Sequence, residues 1–219
     1  MKGNKSGHEI LVGQYGNNIE QKKTENVRFF DRWARTYDQP LFQFWMRRFY
    51  RPALEFIAKE NNDRKVLDVS CGTGKFLQEL AEIKQIQMYG TDLSSRMIAK
   101  AHERLNNLAH LKIADVHSLP FPDNTFDYVV STESFHHYYD QPKAIAEMKR
   151  VSKKGGKVIV VDINFFLRPI HWIFERLEPG CVKINGRKEM RALFQKMGLS
   201  NVIQNRSFIF SVLTIGVKS

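Results

Sequence analysis

The chain has 219 residues, which suits one α/β domain with a modest appendage. Its 42% hydrophobic content is that of an ordinary globular protein; no apolar run is long enough to cross a bilayer, and the polar, glycine-bearing start lacks a signal-peptide core. The formal charge of +11 fits an anionic partner such as nucleic acid, an acidic substrate or a membrane surface, and equally a basic soluble enzyme with solvated lysines.

Residues 1–24 are polar, with several glycines and asparagines, and read as a flexible arm. From Val27 to Lys59 the chain turns aromatic and basic, with Phe29, Phe30, Trp33, Tyr37, Phe42, Phe44, Trp45, Phe49 and Tyr50. Pro40 and Pro52 are expected to break this stretch into two or three helices. Phe29, Phe30 and Trp33 share one face at helical spacing. Residues 25–62 therefore read as a helical cover, most of whose aromatics pack on the main domain, 63–219, while a minority roof its site.

Strand and helix signals then alternate. Lys65–Ser70 reads as a strand and Gly74–Ile83 as a helix; Ile86–Thr91 follows as a second strand and Ser95–Leu105 as an amphipathic helix. Leu111–Ala114 and Phe126–Thr132 are the third and fourth strands. Lys143–Val151 is helical, Gly155-Gly156 is expected to end it, and Lys157–Ile163 is a buried fifth strand. Leu193, Phe194 and Met197 belong to a helix packed on the sheet. Val202–Gln204 and Phe208–Val217 form a closing hairpin. The alternation predicts a Rossmann-like, doubly wound, mostly parallel seven-stranded sheet with an antiparallel last strand.

The chemistry concentrates where the first strand ends, in Val66-Leu67-Asp68-Val69-Ser70-Cys71-Gly72-Thr73-Gly74-Lys75-Phe76. A sharp strand-to-helix turn lets backbone approach a nucleoside, and a second-strand carboxylate, Asp92, can take the ribose hydroxyls. Leu77 stands where a dinucleotide site needs its third glycine, and Phe76 after Lys75 rules out a P-loop. The loop is thus shaped for a nucleoside without phosphate, and S-adenosylmethionine fits that description. Cys71 lies in this loop; with Cys181 as the other cysteine there is no disulfide framework or cysteine metal cluster, and a reduced, cytoplasmic setting is expected.

Val-Leu-Asp-Val-Ser-Cys-Gly-Thr-Gly resembles motif I of the class I S-adenosylmethionine-dependent methyltransferases. The resemblance continues through Gly90-Thr91-Asp92-Leu93-Ser94, Ala114-Asp115-Val116, Phe126-Asp127-Tyr128-Val129-Val130 and Lys154-Gly155-Gly156-Lys157-Val158-Ile159, spanning residues 64–163. Ser70 departs from it, since the family usually has glycine there. The resemblance implies that Ser70, Cys71, Gly72 and Gly74 cradle the cofactor. It implies that Asp115 accepts from the adenine amino group beside Val116, and that Asp68 orients the methionine ammonium. Leu93 and Met97 sandwich the adenine or serve the core. Phe30-Asp31-Arg32-Trp33-Ala34-Arg35-Thr36-Tyr37-Asp38 resembles the opening helices of quinone and other small-molecule methyltransferases, which places Tyr37 near the methionine portion or leaves it a packing aromatic.

After the fourth strand comes Glu133-Ser134-Phe135-His136-His137-Tyr138, in the crevice beside the expected methyl group. Methyl transfer depends mostly on alignment, and a hydroxyl or amine acceptor must also lose a proton. The segment resembles the paired-histidine loop of natural-product O-methyltransferases, in which His136 is the base and Asp162 its partner; His137 belongs to the same catalytic set and Glu133 to the cofactor set. Both histidines serve equally well as pocket walls. No metal is expected, because neighbouring histidines diverge and no third ligand is visible at helical spacing. Residues 164–190 form the acceptor-recognition insert, beginning Asn164-Phe165-Phe166-Leu167-Arg168-Pro169. It reads as a lid over a hydrophobic acceptor, or as an amphipathic helix in transient contact with an anionic membrane.

The expected function is methylation of a small, hydrophobic or amphiphilic molecule at oxygen, nitrogen or carbon. An RNA or protein methyltransferase is the alternative that the charge supports, though no nucleic-acid module is seen. A non-catalytic S-adenosylmethionine-binding protein is the third.

Overall fold

The computed structural model describes residues 21–60, 63–165, 167–208 and 210–219, without the side chains at positions 42, 45, 207 and 208. Residues 1–20 of the expected arm, the aromatics at 42, 45 and 208 as side chains, and Phe166 of the insert lie outside this description. Helix α1 covers residues 21–33, so positions 21–24 of the expected arm are helical. Helix α2 runs Pro40–Ala58, with Pro40 in its first turn, where a missing N–H costs nothing. Pro52 lies inside α2 and does not end it, a correction to the sequence expectation. Burial accounts for this: Tyr50, Ala53, Leu54 and Ile57 are core residues, and their packing offsets the one backbone bond that Pro52 cannot donate.

Strands β1 (Lys65–Val69), β2 (Gln87–Asp92), β3 (Ala109–Ile113), β4 (Phe126–Thr132), β5 (Ser152–Ile163), β6 (Leu199–Phe208) and β7 (Ser211–Lys218) form one sheet in the order β3-β2-β1-β4-β5-β7-β6. β1 pairs in parallel with β2 on one side and β4 on the other, so the chain reverses direction across the sheet at β1. β7 is antiparallel to both β5 and β6. Helices α3 (Lys75–Ile83), α4 (Ser95–Leu105), α5 (Gln141–Val151), α6 (Arg168–Leu177) and α7 (Arg187–Lys196) complete the architecture, and none of the described helices is long and apolar enough to cross a membrane.

The two faces of the sheet follow the period of two. Val66, Tyr128, Val130, Ile159 and Val161 point to one side, under α2, α3 and α4. Leu67, Val69, Val129, Val158 and Val160 point to the other, against α5 and α7. Gly155 and Gly156 lie within β5 rather than ending α5, which stops at Val151. They occupy a register shift: Phe126 pairs with Ser152, but Tyr128 pairs with Lys157, and Gly155 turns at φ 72°. This layout leaves a crevice at the carboxyl ends of β1 and β4, where open α/β sheets take ligands.

Candidate active site

The loop after β1 is built from three left-handed residues, Ser70 (φ 60°), Gly72 (φ 54°) and Gly74 (φ 77°). A Cβ on Gly74 would stand 2.9 Å from Leu105 Cδ1, so this glycine lets α3 and α4 close on each other. Ser70 tolerates its conformation with a bond of its own: its Oγ accepts from Tyr138 Oη at 3.0 Å. Cys71 turns its thiol into the core; a Cβ on Gly90 would come within 3.0 Å of its sulfur.

Asp92 bridges the loop and α4. Its Oδ2 accepts from the Gly72 N–H at 2.9 Å and its Oδ1 from the Ser94 N–H at 2.8 Å. Burial pushes its pKa up to about 6, against the pull of those two bonds. Each oxygen keeps a lone pair for a diol. Asp68 lies below it, 1% exposed, and neither of its carboxylate oxygens has a hydrogen-bond partner among the described residues. Burial, and then the charge of Asp92, raise its pKa well above the usual range. An unpartnered buried carboxylate is costly, and an ammonium group beside it would remove that cost.

The helical cover is tied to this loop by polar side chains that sequence reading gave no role. Asp38 accepts from Thr73 Oγ1 at 2.8 Å and pairs with Arg104 at 2.8 Å, and Arg104 also donates to the Thr73 carbonyl. Asp31 accepts from Ser94 Oγ at 2.5 Å, and Ser94 in turn caps α4 through the Met97 N–H. The Asp31 and Asp38 pins hold Tyr37 over the glycine loop, its ring carbon Cε1 3.9 Å from where a Gly72 Cβ would stand. Burial, then Glu133 and Asp92, push the Tyr37 hydroxyl above its ordinary pKa.

Asp115 sits after β3, already well furnished. Its Oδ1 meets His117 Nδ1 at 2.6 Å and accepts from the His117 N–H; its Oδ2 accepts from Tyr139 Oη at 2.9 Å and pairs with Lys23 at 3.1 Å. Burial opposes ionisation there, but the bonds from His117 and Tyr139 prevail and hold the carboxyl well below the usual range. An adenine amino group would have to share or displace one of these partners.

On the other side of the loop, a 3₁₀ turn over Phe135–His137 buries both histidines. His136 Nδ1 lies 2.5 Å from Asp162 Oδ1 at the end of β5. His136 Nε2 lies 3.5 Å from Glu178 Oε2, in the segment following α6. Burial alone would lower the ring's pKa; Asp162 and then Glu178 outweigh it and push it up to about 10. Burial and the charge of His136 press His137 the other way, well below its ordinary value. His137 packs edge-on against Phe30, ring centroids 5.0 Å apart. Glu178 is the third donor that sequence reading did not find, because nothing in the pattern of the insert marks it. With it, His136 and His137 bring three potential ligand atoms within 4.8 Å of one another. Glu133, at φ 54°, is half-buried, its inward Oε1 without a hydrogen-bond partner among the described residues and its pKa raised by burial and then by Asp162.

One cavity of about 280 Å³ gathers most of these groups. Tyr37, Ser70, Gly72, Asp92, Leu93, Met97, Asp115, Val116, Glu133, His136 and His137 line it. Asp68, Cys71, Gly74 and Asp162 do not; they stand behind the lining. Phe30, Trp33, Met46, Phe49, Ile163 and Phe174 give the wall an apolar and aromatic portion, beside polar residues that include Asn26, Ser134 and Glu178.

Comparison with known proteins agrees with this geometry. Residues 67–160 match the methyltransferase domain family. A demethylmenaquinone methyltransferase of Thermotoga maritima is 31% identical over 144 residues, 64% of this chain and 62% of that protein. An uncharacterized methyltransferase of Anoxybacillus flavithermus is 31% identical over 169 residues, 73% of this chain and 78% of that one. Among solved structures, the complex between the Haloferax volcanii Trm112 methyltransferase activator and a putative methyltransferase contains a chain of similar fold. Its TM-score is 0.73 at 23% identity, over 86% of this chain and 97% of that chain.

Proposed function

Since the chain belongs to the class I S-adenosylmethionine-dependent methyltransferases, we propose that it methylates a small, apolar ring molecule bearing an ionisable oxygen, of the quinol or naphthol kind. The carrying observation is the cavity itself, lined at once by the polar cradle, by the aromatics Phe30, Trp33, Phe49 and Phe174, and by His136. The printed name of the Thermotoga maritima relative, a quinone-modifying enzyme, supports the same acceptor class.

S-adenosylmethionine supplies a sulfonium methyl group that an acceptor displaces in line. The chain's own residues bind and align. Asp92 takes the ribose diol with its free lone pairs, Asp68 the ammonium, and the left-handed loop from Ser70 to Gly74 presents backbone to the amino-acid tail. Tyr37, Cys71 and Glu133 close the methionine end, Cys71 through backbone only. Leu93, Met97 and Val116 enclose the adenine, with Asp115 at its edge. Phe30, Trp33 and Phe174 exclude water, which strengthens every charge interaction inside.

For His136 we propose a part other than the base that the resemblance implies. A general base must begin neutral, whereas a ring between two carboxylates begins charged. We infer that it donates from Nε2 to the acceptor oxygen, stabilising the anion that makes a phenol or quinol nucleophilic, while Asp162 orients the ring. A phenol has an ordinary pKa of about 10; its proton leaves to solvent as the acceptor enters, and the N–H of the charged ring holds the resulting phenolate while it attacks the methyl group. His137 stays neutral and shapes the wall.

The test is transfer of isotopic label from S-adenosylmethionine to a panel of naphthols and quinols, beside RNA and protein fractions. Label is expected in the ring compounds. His136→Ala is expected to lower turnover by about 100-fold, the size of one lost transition-state donor, with adenosylhomocysteine affinity unchanged. Label in RNA or protein alone, or full activity of the variant, would end this reading.

A further inference from the structure

Helix α6 has one satisfied face and one bare face. Inward, His171 Nε2 meets the Phe165 carbonyl at 2.8 Å, Phe174 packs on Phe165 and lines the cavity, and Glu175 accepts from the Ile184 N–H at 2.7 Å. Outward, Leu167, Ile170, Trp172, Ile173 and Leu177 are 60, 40, 57, 47 and 76% exposed. Phe210, at the β6–β7 turn, is also exposed, its ring tilted against Phe165 at 5.5 Å. A monomer in water rarely leaves so much contiguous apolar surface without a use for it.

The charges around this face choose its occupant. Arg168, Arg176, Lys183, Arg187 and Lys188 are exposed, and Arg176 lies over the Trp172 ring at 4.9 Å. The acids of the region are engaged elsewhere: Glu175 and Glu178 turn inward, and Glu189 pairs with Arg168 at 3.2 Å. An apolar stripe carrying a tryptophan and flanked by exposed cations is the composition of a helix that lies in the headgroup layer of an anionic bilayer. A second copy of the chain fits less well, since a two-fold interface here would bring two basic rims together.

We propose that the outward face of α6 docks on an anionic lipid surface, so that a lipid-dissolved acceptor enters the cavity past Phe174 without crossing water. This rests on the apolar-acceptor reading for its purpose, but the contact itself is separately measurable. A segment of ten residues makes the contact weak and reversible.

The experiment is sedimentation of the full chain with phosphatidylcholine vesicles and with vesicles containing phosphatidylglycerol. Binding to the anionic vesicles is expected, reduced at least tenfold by 0.5 M salt on the order expected for screened surface charge. The double substitution Ile170→Asp/Ile173→Asp, and separately Arg176→Glu, should each weaken it about tenfold, with adenosylhomocysteine affinity and turnover of a water-soluble acceptor unchanged. Equal vesicle binding by wild type and variants, or no binding to either vesicle, overturns the proposal. So does a concentration-dependent dimer in light scattering that the same substitutions abolish. Vesicle binding that persists while no ring acceptor is methylated would instead count against the acceptor class and leave the docking face standing.

Discussion

His136 shows how strongly one side chain depends on its surroundings. Two carboxylates reach its ring from elements far apart in the chain, Asp162 from the end of β5 and Glu178 from beyond α6. Its folded pKa of about 10 lies above the unfolded value of about 6.5. The bound proton therefore stabilises the folded state fully below pH 6.5, and that contribution is lost as pH rises toward 10. Comparing urea unfolding of the wild type with His136→Gln should show a stability gap that is wide at pH 6 and narrows by pH 10. A gap independent of pH would mean the ring is neutral throughout. Ser70 carries a similar lesson: the sequence marks it only as a departure from the family's glycine, and in the fold its hydroxyl accepts from Tyr138.

At the scale of elements, the glycine loop is a packing device as much as a binding one. Gly74→Ala places a methyl against Leu105 and Ala101 while holding a left-handed backbone. Overpacking and strain together predict a loss of roughly 2–4 kcal/mol, read as a lower denaturation midpoint. The strands between the two layers were legible because burial on both faces writes them as nearly continuous apolar runs, as in Val66–Val69 and Val158–Val161. β3 was displaced by two residues because it is an edge strand with little buried surface to pattern it. α5 begins at Gln141, earlier than its apolar spacing suggests, since Asp140 caps it through the Lys143 N–H at 3.0 Å and Pro142 suits its first turn. The Gly155-Gly156 pair misled for the opposite reason: glycine permits a turn but does not require a helix end, and here it serves a strand irregularity.

For the molecule as a whole, a ligand that fills the crevice must stabilise the fold by its binding energy. Adenosylhomocysteine at about 100 times its dissociation constant should contribute about 2.7 kcal/mol, a rise in melting temperature of roughly 5–10 °C for a chain of this size. NAD and ATP should give no shift, and Asp68→Asn should lose most of it; a matching shift with NAD would dissolve the nucleoside reading. The motif, the order of strands and helices and the acids on the strand ends were set locally, because a strand-to-helix turn and a buried apolar run are written in neighbouring residues. What only the tertiary structure decided is the arrangement of charge: Glu178 on His136, Asp38 and Arg104 on the loop, Lys23 and Tyr139 on Asp115. These contacts join segments separated by tens of residues. No spacing rule encodes them, since side chains meet there only after the sheet has closed and water has been excluded.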